Sequence, residues 1–260
     1  MEYGICRLSM IPLRKEPGHK SEMVTQLLFG ETYEVISRKN DWLSIKSTYD
    51  DYTGWIARNQ HAPCSKAYYL ELCQNRQPVA LDIVSMALSS ERQLPVLIGS
   101  TLPAFDGMNF RLGSEKFVYN GQAIIHENNN GFNREKILEK CALKFLHAPY
   151  LWGGRTPFGI DCSGFTQVVF KLLDVRLKRD AYQQAISGFD VPFAETANEG
   201  DLAFFEDKEG KITHVGIVLK NKRIIHASGK VRIDPFDAYG IYNPETRKYS
   251  HKLKMIKRIF

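Results

Sequence analysis

Cys162 opens the most chemically suggestive stretch of the chain. It stands in Gly159-Ile160-Asp161-Cys162-Ser163-Gly164-Phe165, shortly after Tyr150-Leu151-Trp152-Gly153-Gly154. A glycine-rich loop there feeds a thiol at the start of an apolar run, Phe165, Val168, Val169 and Leu172, spaced as on one face of a helix. Unpaired N–H groups and the helix dipole at such a start favour a thiolate, so the sequence predicts a lowered thiol pKa and a nucleophile for carbonyl carbon. The competing reading is a small buried hydrophobe, the usual fate of a lone Cys. Two histidines offer a base. His214, in Thr213-His214-Val215-Gly216, comes 52 residues after Cys162, and His226, in Arg223-Ile224-Ile225-His226, follows 12 later. One imidazole can take the thiol proton while the other fixes its orientation and tautomer; singly, each would read as a structural residue. Zinc is the rival chemistry. It needs three or four ligands at close spacing, and neither a His-x-x-x-His nor a Cys-x-x-Cys pair occurs, so no metal and no organic cofactor is expected.

The elements that must hold these groups read as an α+β domain over residues 129–260. Glu127-Asn128-Asn129-Asn130-Gly131 is a polar linker. Asn133 can cap a helix with Ile137, Leu138, Cys141, Phe145 and Leu146 on its apolar face, ended by Ala148-Pro149. A second helix runs from Cys162 to Leu173. Strands follow at Leu202–Phe205, His214–Leu219 and Arg223–Ala227, the last two joined by a turn at Asn221-Lys222, and together they suggest an antiparallel meander. Lys252, Lys254, Lys257 and Arg258 alternate with Leu253, Met255 and Ile259, the pattern of a closing strand with a solvated face rather than a nucleic-acid patch. Cys141 lies on the apolar stripe and reads as core. Ahead of this domain, residues 1–62 carry short strands at Gln26–Phe29, Tyr33–Ile36 and Trp42–Lys46, punctuated by Gly30, Asn40-Asp41 and Asp50-Asp51, as in a small barrel. Residues 63–128 carry further strand-like runs at Pro95–Ser100, Phe110–Leu112 and Phe117–Ala123, and a second, degenerate barrel is expected there.

Composition narrows the class without choosing the chemistry. With 43% hydrophobic and 25% charged residues, a disordered or disulfide-scaffold protein is excluded. The net charge of +6 suits an anionic polymer, but the charges are scattered and form no binding tail. Five Cys is an odd number and fits free thiols in a reducing compartment. No basic segment followed by an apolar run opens the chain, and no stretch reaches the roughly 20 apolar residues of a membrane helix. A cytoplasmic monomer with no membrane span is the expectation, with the periplasm or cell envelope as the alternative if a leader precedes this sequence.

Three ordered motifs carry a resemblance: Asp161-Cys162-Ser163-Gly164-Phe165, His214-Val215-Gly216-Ile217 and Ile225-His226-Ala227-Ser228-Gly229. With the Tyr150–Gly154 loop and Gly200–Phe205, residues 132–260 resemble the NlpC family of papain-like cell-wall cysteine peptidases. Asp41–Lys46 and Tyr52–Ile56 resemble the closing hairpin of bacterial SH3-type domains. The resemblance implies a papain-like domain preceded by two small SH3-like β-barrels, with Cys162 as nucleophile, His214 as base and His226 as the third polar member. It also implies a narrower subfamily that cleaves peptidoglycan peptides between γ-D-glutamate and a diamino acid and prefers a free N-terminal L-alanine. There the first SH3-like domain walls one end of the site, and Asp161, Ser163, Tyr150, Tyr52 and Glu22 would meet the substrate's amino end. Ala181 departs from the serine that many relatives carry at its position. An amidase or acyltransferase on the same scaffold, or a catalytically inactive binder of cell-wall peptides, is the alternative.

Overall fold

Short apolar runs broken by Gly and Asx turns become antiparallel strands through the first half of the chain. The computed structural model describes residues 1–126 and 134–260; the expected linker at 127–131 and the expected cap at Asn133 lie outside the described residues. Two units are present, Met1–Phe132 with Trp152–Pro157, and Asn133–Leu151 with Phe158–Phe260.

In the first unit, β1 (Glu2–Ile5), β2 (Met10–Arg14), β3 (Met23–Leu28), β4 (Thr32–Lys39), β5 (Trp42–Ser47), β6 (Thr53–Ala57) and β7 (Pro63–Cys64) form a sheet of order β3-β2-β6-β5-β4-β1-β7. The expected turn at Asn40-Asp41 closes the β4–β5 hairpin, with Lys39 opposite Trp42 and Asn40 at φ 51°. Alternate residues point inward, as the period of a strand requires, and Ile11, Leu13, Leu27, Tyr33, Leu43, Ile45 and Ile56 make the core.

Residues 63–126 form a four-stranded sheet and a separate strand pair, which leaves the expected second, degenerate barrel unconfirmed. Helix α1 (Lys66–Gln74), capped by Ser65, was not anticipated. After β8 (Val79–Ala80), the strands β9 (Val84–Leu88), β10 (Gln93–Leu97), β11 (Asn109–Leu112) and β12 (Glu115–Tyr119) form a sheet of order β10-β9-β12-β11, and β13 (Ala123–Ile124) pairs only with β8. Among the described residues no ladder joins β10 to β11, and the antiparallel sheet packs around Phe110, Phe117 and Tyr119. Phe29 and Ile5 pack into the same core.

Residues 152–157, including β14 (Arg155–Thr156), belong to the first unit although they lie just ahead of Cys162 in sequence. Arg155 is fully buried; its guanidinium pairs with both oxygens of Glu31 at 2.8 and 2.9 Å, and its N–H donates to Gln26 Oε1 at 2.7 Å. Gly153 has φ 77°, and a Cβ there would meet the Met23 carbonyl oxygen at 2.3 Å. A glycine is needed there for this close approach to β3.

The second unit packs helices on a β ring. Helix α2 (Arg134–Leu143) stops before the expected end at Ala148-Pro149. Phe145, Leu146 and Ala148 donate to carbonyls three residues back, which tightens the chain out of α geometry, and His147 adopts φ 70°. After β15 (Gly159–Ile160) comes α3 (Cys162–Leu172), buried along its whole length, and then the short α4 (Ala181–Gln184). Strands β16 (Phe189–Val191), β17 (Leu202–Glu206), β18 (Ile212–Leu219), β19 (Arg223–Ser228), β20 (Lys230–Asp237), β21 (Gly240–Asn243) and β22 (Lys248–Arg258) follow. The expected meander goes further than its three strands: β17 to β22 pair in sequence and β22 returns to β17, closing a six-stranded ring, with β16 on the outer side of β22.

Candidate active site

Strand period and one glycine bring the polar groups together. His214 and Gly216 share a face of β18, and Gly216 lies directly opposite His226 on β19. A Cβ on Gly216 would come within 2.9 Å of the His226 Cβ, so its absence gives the imidazole room. His226 in turn faces Arg232 on β20, and Asp234 is two residues on, on the same face. His214 Nε2 lies 2.9 Å from His226 Nδ1, His226 Nε2 lies 2.9 Å from Asp234 Oδ2, and Arg232 holds both Asp234 oxygens at 2.7 and 2.9 Å.

This chain fixes the proton positions. A carboxylate only accepts, so His226 Nε2 carries a hydrogen and donates to Asp234. In a neutral imidazole the lone pair is then on Nδ1, and it accepts from His214 Nε2–H. His214 is left with its lone pair on Nδ1, the proton-accepting tautomer. The charges agree. Burial, then the neighbouring His251 and His226, hold His214 well below its usual 6.5. Burial also lowers His226, against the pull of Asp234. Burial opposes ionisation of Asp234, but hydrogen bonds from His226 and Arg232 outweigh it and keep the carboxyl below the usual range.

Cys162 is the first residue of α3, 6% exposed, and its sulfur accepts from the N–H groups of Ser163 and of Val215, the neighbour of His214. The thiol does not behave as the sequence suggested. Burial, and then the Asp161 charge, push it up to about 12, against those N–H groups and Arg179. Desolvation outweighs the helix terminus, so the resting pair is a neutral thiol and a neutral imidazole.

Asp161 caps α3 through Gly164 N–H at 2.7 Å and binds Arg179 at 3.0 and 2.5 Å. Arg179 also donates to Ser163 Oγ at 2.9 Å. Tyr150 is half-buried; burial, then Cys162 and Asp161, raise its hydroxyl pKa. In the first unit, Glu22 is exposed and accepts from Trp152 Nε1 at 2.7 Å, and Tyr52 is half-buried with its N–H on Asp50. Sequence reasoning missed Asp234, Arg232, Arg179 and His251. Removing Arg179 takes the guanidinium away from a buried carboxylate, a loss of about 3–5 kcal/mol. Arg179→Met is therefore expected to lower the denaturant midpoint followed by circular dichroism, and Asp161→Asn in the same chain to restore part of it. An unchanged midpoint in Arg179→Met would remove the structural weight placed on this pair.

Ring nitrogens of His214, His226 and His251 lie within 4.8 Å of one another. Yet His214 and His251 are stacked at 4.1 Å and 25°. Lone pairs lie in the ring plane, so two stacked rings aim them side by side rather than at one tetrahedral centre, and the set does not fit a metal as it stands.

Residues 147–251 match the NlpC/P60 family, and residues 13–60 match the bacterial dipeptidyl-peptidase Sh3 domain. The chain is 31% identical over 217 residues to a gamma-D-glutamyl-L-lysine dipeptidyl-peptidase of Bacillus subtilis, covering 78% of this chain and 71% of that protein. It is 27% identical over 251 residues to a Bacillus cereus protein of the same name, covering 85% and 72%. A crystal structure of an NlpC/P60 family protein from Bacillus cereus superposes with TM-score 0.82 over 99% of both chains at 20% identity, which shows the shared fold. With a thiol at the head of α3, a histidine pair on the ring beside it and these relatives, the chain belongs to the NlpC/P60 family of cysteine peptidases and carries an N-terminal bacterial SH3 domain.

Proposed function

We infer that this peptidase hydrolyses peptidoglycan-derived peptides between γ-D-glutamate and a diamino acid. The observation that carries the catalytic part is the hydrogen-bonded series His214–His226–Asp234, which leaves a lone pair on His214 Nδ1 and ends beside the Cys162 backbone partner Val215. The names of the two Bacillus relatives support the γ-D-glutamyl bond. In this reading His214 Nδ1 takes the Cys162 proton as the sulfur attacks the γ-carbonyl, because burial disfavours a standing thiolate. Backbone N–H groups at the start of α3 receive the oxyanion. The C–N bond breaks, His214 returns the proton to the departing amine, and a thioester remains. Water, deprotonated by His214, then releases the acid and the thiol. Digestion of L-Ala-γ-D-Glu peptides extended by lysine or by diaminopimelate, with mass identification of products, tests the bond. The dipeptide L-Ala-D-Glu should appear, and cleavage at any other amide would favour the amidase reading.

Within the same proposal, Asp161, Ser163 and Tyr150 recognise a free N-terminal L-alanine, because a desolvated ammonium needs acceptors. Arg179 already balances Asp161, and Ala181 brings no hydroxyl, so the expected preference is moderate. N-acetylating the alanine should lower kcat/KM by about tenfold, the scale of one charge-assisted contact. Equal cleavage of both peptides would end the amine-recognition reading and leave the peptidase standing.

A further inference from the structure

His251 lies on β22, opposite Ile241 of β21, where the ring of strands closes. Its imidazole is stacked on His214, with centroids 4.1 Å apart and planes 25° from parallel. It meets His226 edge-on at 5.6 Å and 81°, and Phe205 of β17 at 6.0 Å and 66°. Phe205 also leans on His214 at 5.8 Å. The base imidazole is thus held by His226 through a hydrogen bond, by Phe205 at a tilt and by His251 across one face.

The backbone beneath His251 is tightly placed. Gly240 of β21 has φ 136°, and a Cβ there would reach the His251 carbonyl oxygen at 1.9 Å. Ser250 Oγ lies 2.8 Å from His251 Nδ1 and donates to the Ile241 carbonyl at 3.3 Å. With that hydroxyl proton spent on Ile241, His251 Nδ1 donates to Ser250, which sets the tautomer and steadies the ring. Burial, and then the His226 charge, lower His251 to about 4, with Asp234 acting in the opposite sense. Arg232 faces the same cluster but is held by Asp234.

We propose that His251 is a positioning residue of the peptidase: its ring, stacked on His214, fixes the plane of the base imidazole and keeps water from that face. A hydrogen bond at Nε2 alone leaves His214 free to rotate about the axis of that bond. A flat neighbour at van der Waals distance removes the rotation and keeps Nδ1 directed at the thiol proton. When His214 takes that proton, the neutral π face below it also meets the new cation favourably.

The inference rests on His214 being the base, so the test pairs His251 variants with His214→Ala in the full chain. An aromatic contact of this kind corresponds to roughly threefold to tenfold in rate. His251→Ala should therefore lose about that factor in kcat with KM little changed. Opening the face to water should also move the acid limb of kcat/KM upward in pH, toward the ordinary histidine value. His251→Phe, which restores a stacked ring without a titrating group, should recover kcat and the native acid limb. His251→Leu, which restores bulk but no π face, should recover the limb better than the rate, and it serves if His251→Ala does not fold. Wild-type rates and limb in both His251→Ala and His251→Leu would overturn the proposal. So would a Phe variant as damaged as the Ala variant. Full turnover in His214→Ala would instead overturn the base assignment itself.

Discussion

Cys162→Ala is expected to abolish turnover and to leave the fold standing. Alanine is a good helix residue and the site tolerates a smaller side chain, since the sulfur's contacts are weak bonds from Val215 and Ser163 N–H groups. The neighbouring Ser163 hydroxyl is held by Arg179 at 2.9 Å and is a far weaker nucleophile than a thiol, so the expected loss is about 10⁴-fold or more in kcat/KM, set by the assay floor. Cys141→Ala is the control. That thiol is 3% exposed on α2, burial lifts it to about 11, and its variant should keep most activity with a modest loss of stability. The raised Cys162 pKa adds a second readout. Its alkylation by iodoacetamide in the free protein should keep rising above pH 9, whereas a standing thiolate–imidazolium pair would give a plateau through neutrality. Appreciable turnover by Cys162→Ala, or equal loss in the two variants, would remove Cys162 as the nucleophile.

Much of the scaffold was legible because its signals are local. The spacing of Phe165, Val168, Val169 and Leu172 gave α3, and strands β3 to β6 and β17 to β19 lie on their predicted segments to within a few residues. The histidine pair was legible only in part: a two-residue turn at Asn221-Lys222 would set Ile217 opposite His226, whereas the ladder is centred on Asn221 and sets Gly216 there, which puts His214 two residues away on the same face. Asp234 and Arg232 had the same kind of signal, one step further. The β19–β20 turn is centred on Gly229 at φ 69°, so positions equidistant from it pair, and His226 must face Arg232. Extending the two-residue period beyond Gly229 would have found both. Arg179 and His251 carried no such signal. Arg179 reaches Asp161 from an irregular segment, and His251 arrives only because β22 closes a ring, a long-range event that no periodicity encodes. The thiol pKa was misread for a related reason. The helix terminus is visible in sequence, whereas the desolvation that outweighs it comes from packing of distant strands.

The series from His214 to Asp234 yields the second large effect. His214→Ala removes the proton acceptor, and a thiol that burial keeps protonated then has no route to its nucleophilic form; a loss of about 10³-fold or more in kcat is expected. His226→Ala leaves the acceptor in place but frees its tautomer and plane, so the loss should be about tenfold to a hundredfold. Asp234→Ala acts one step further away and should be milder than His226→Ala, because water can accept from His226 Nε2. The pH profile follows from the same burial. His214 is held below 6.5, so it remains a competent acceptor as pH falls through that value and fails only at lower pH, where it binds a proton. Stability has the same sign. In the unfolded chain these histidines protonate near 6.5, while in the folded chain they do so only at lower pH. Below 6.5 the unfolded state therefore binds more protons, and acid should erode stability at up to about 1.4 kcal/mol per pH unit for each such group. Rate profiles and denaturation midpoints of His214→Ala, His226→Ala and Asp234→Ala, measured from pH 4 to 9, check both statements. A severe loss at His226 beside a mild one at His214 would exchange their roles, since only the residue that carries the proton is indispensable to it.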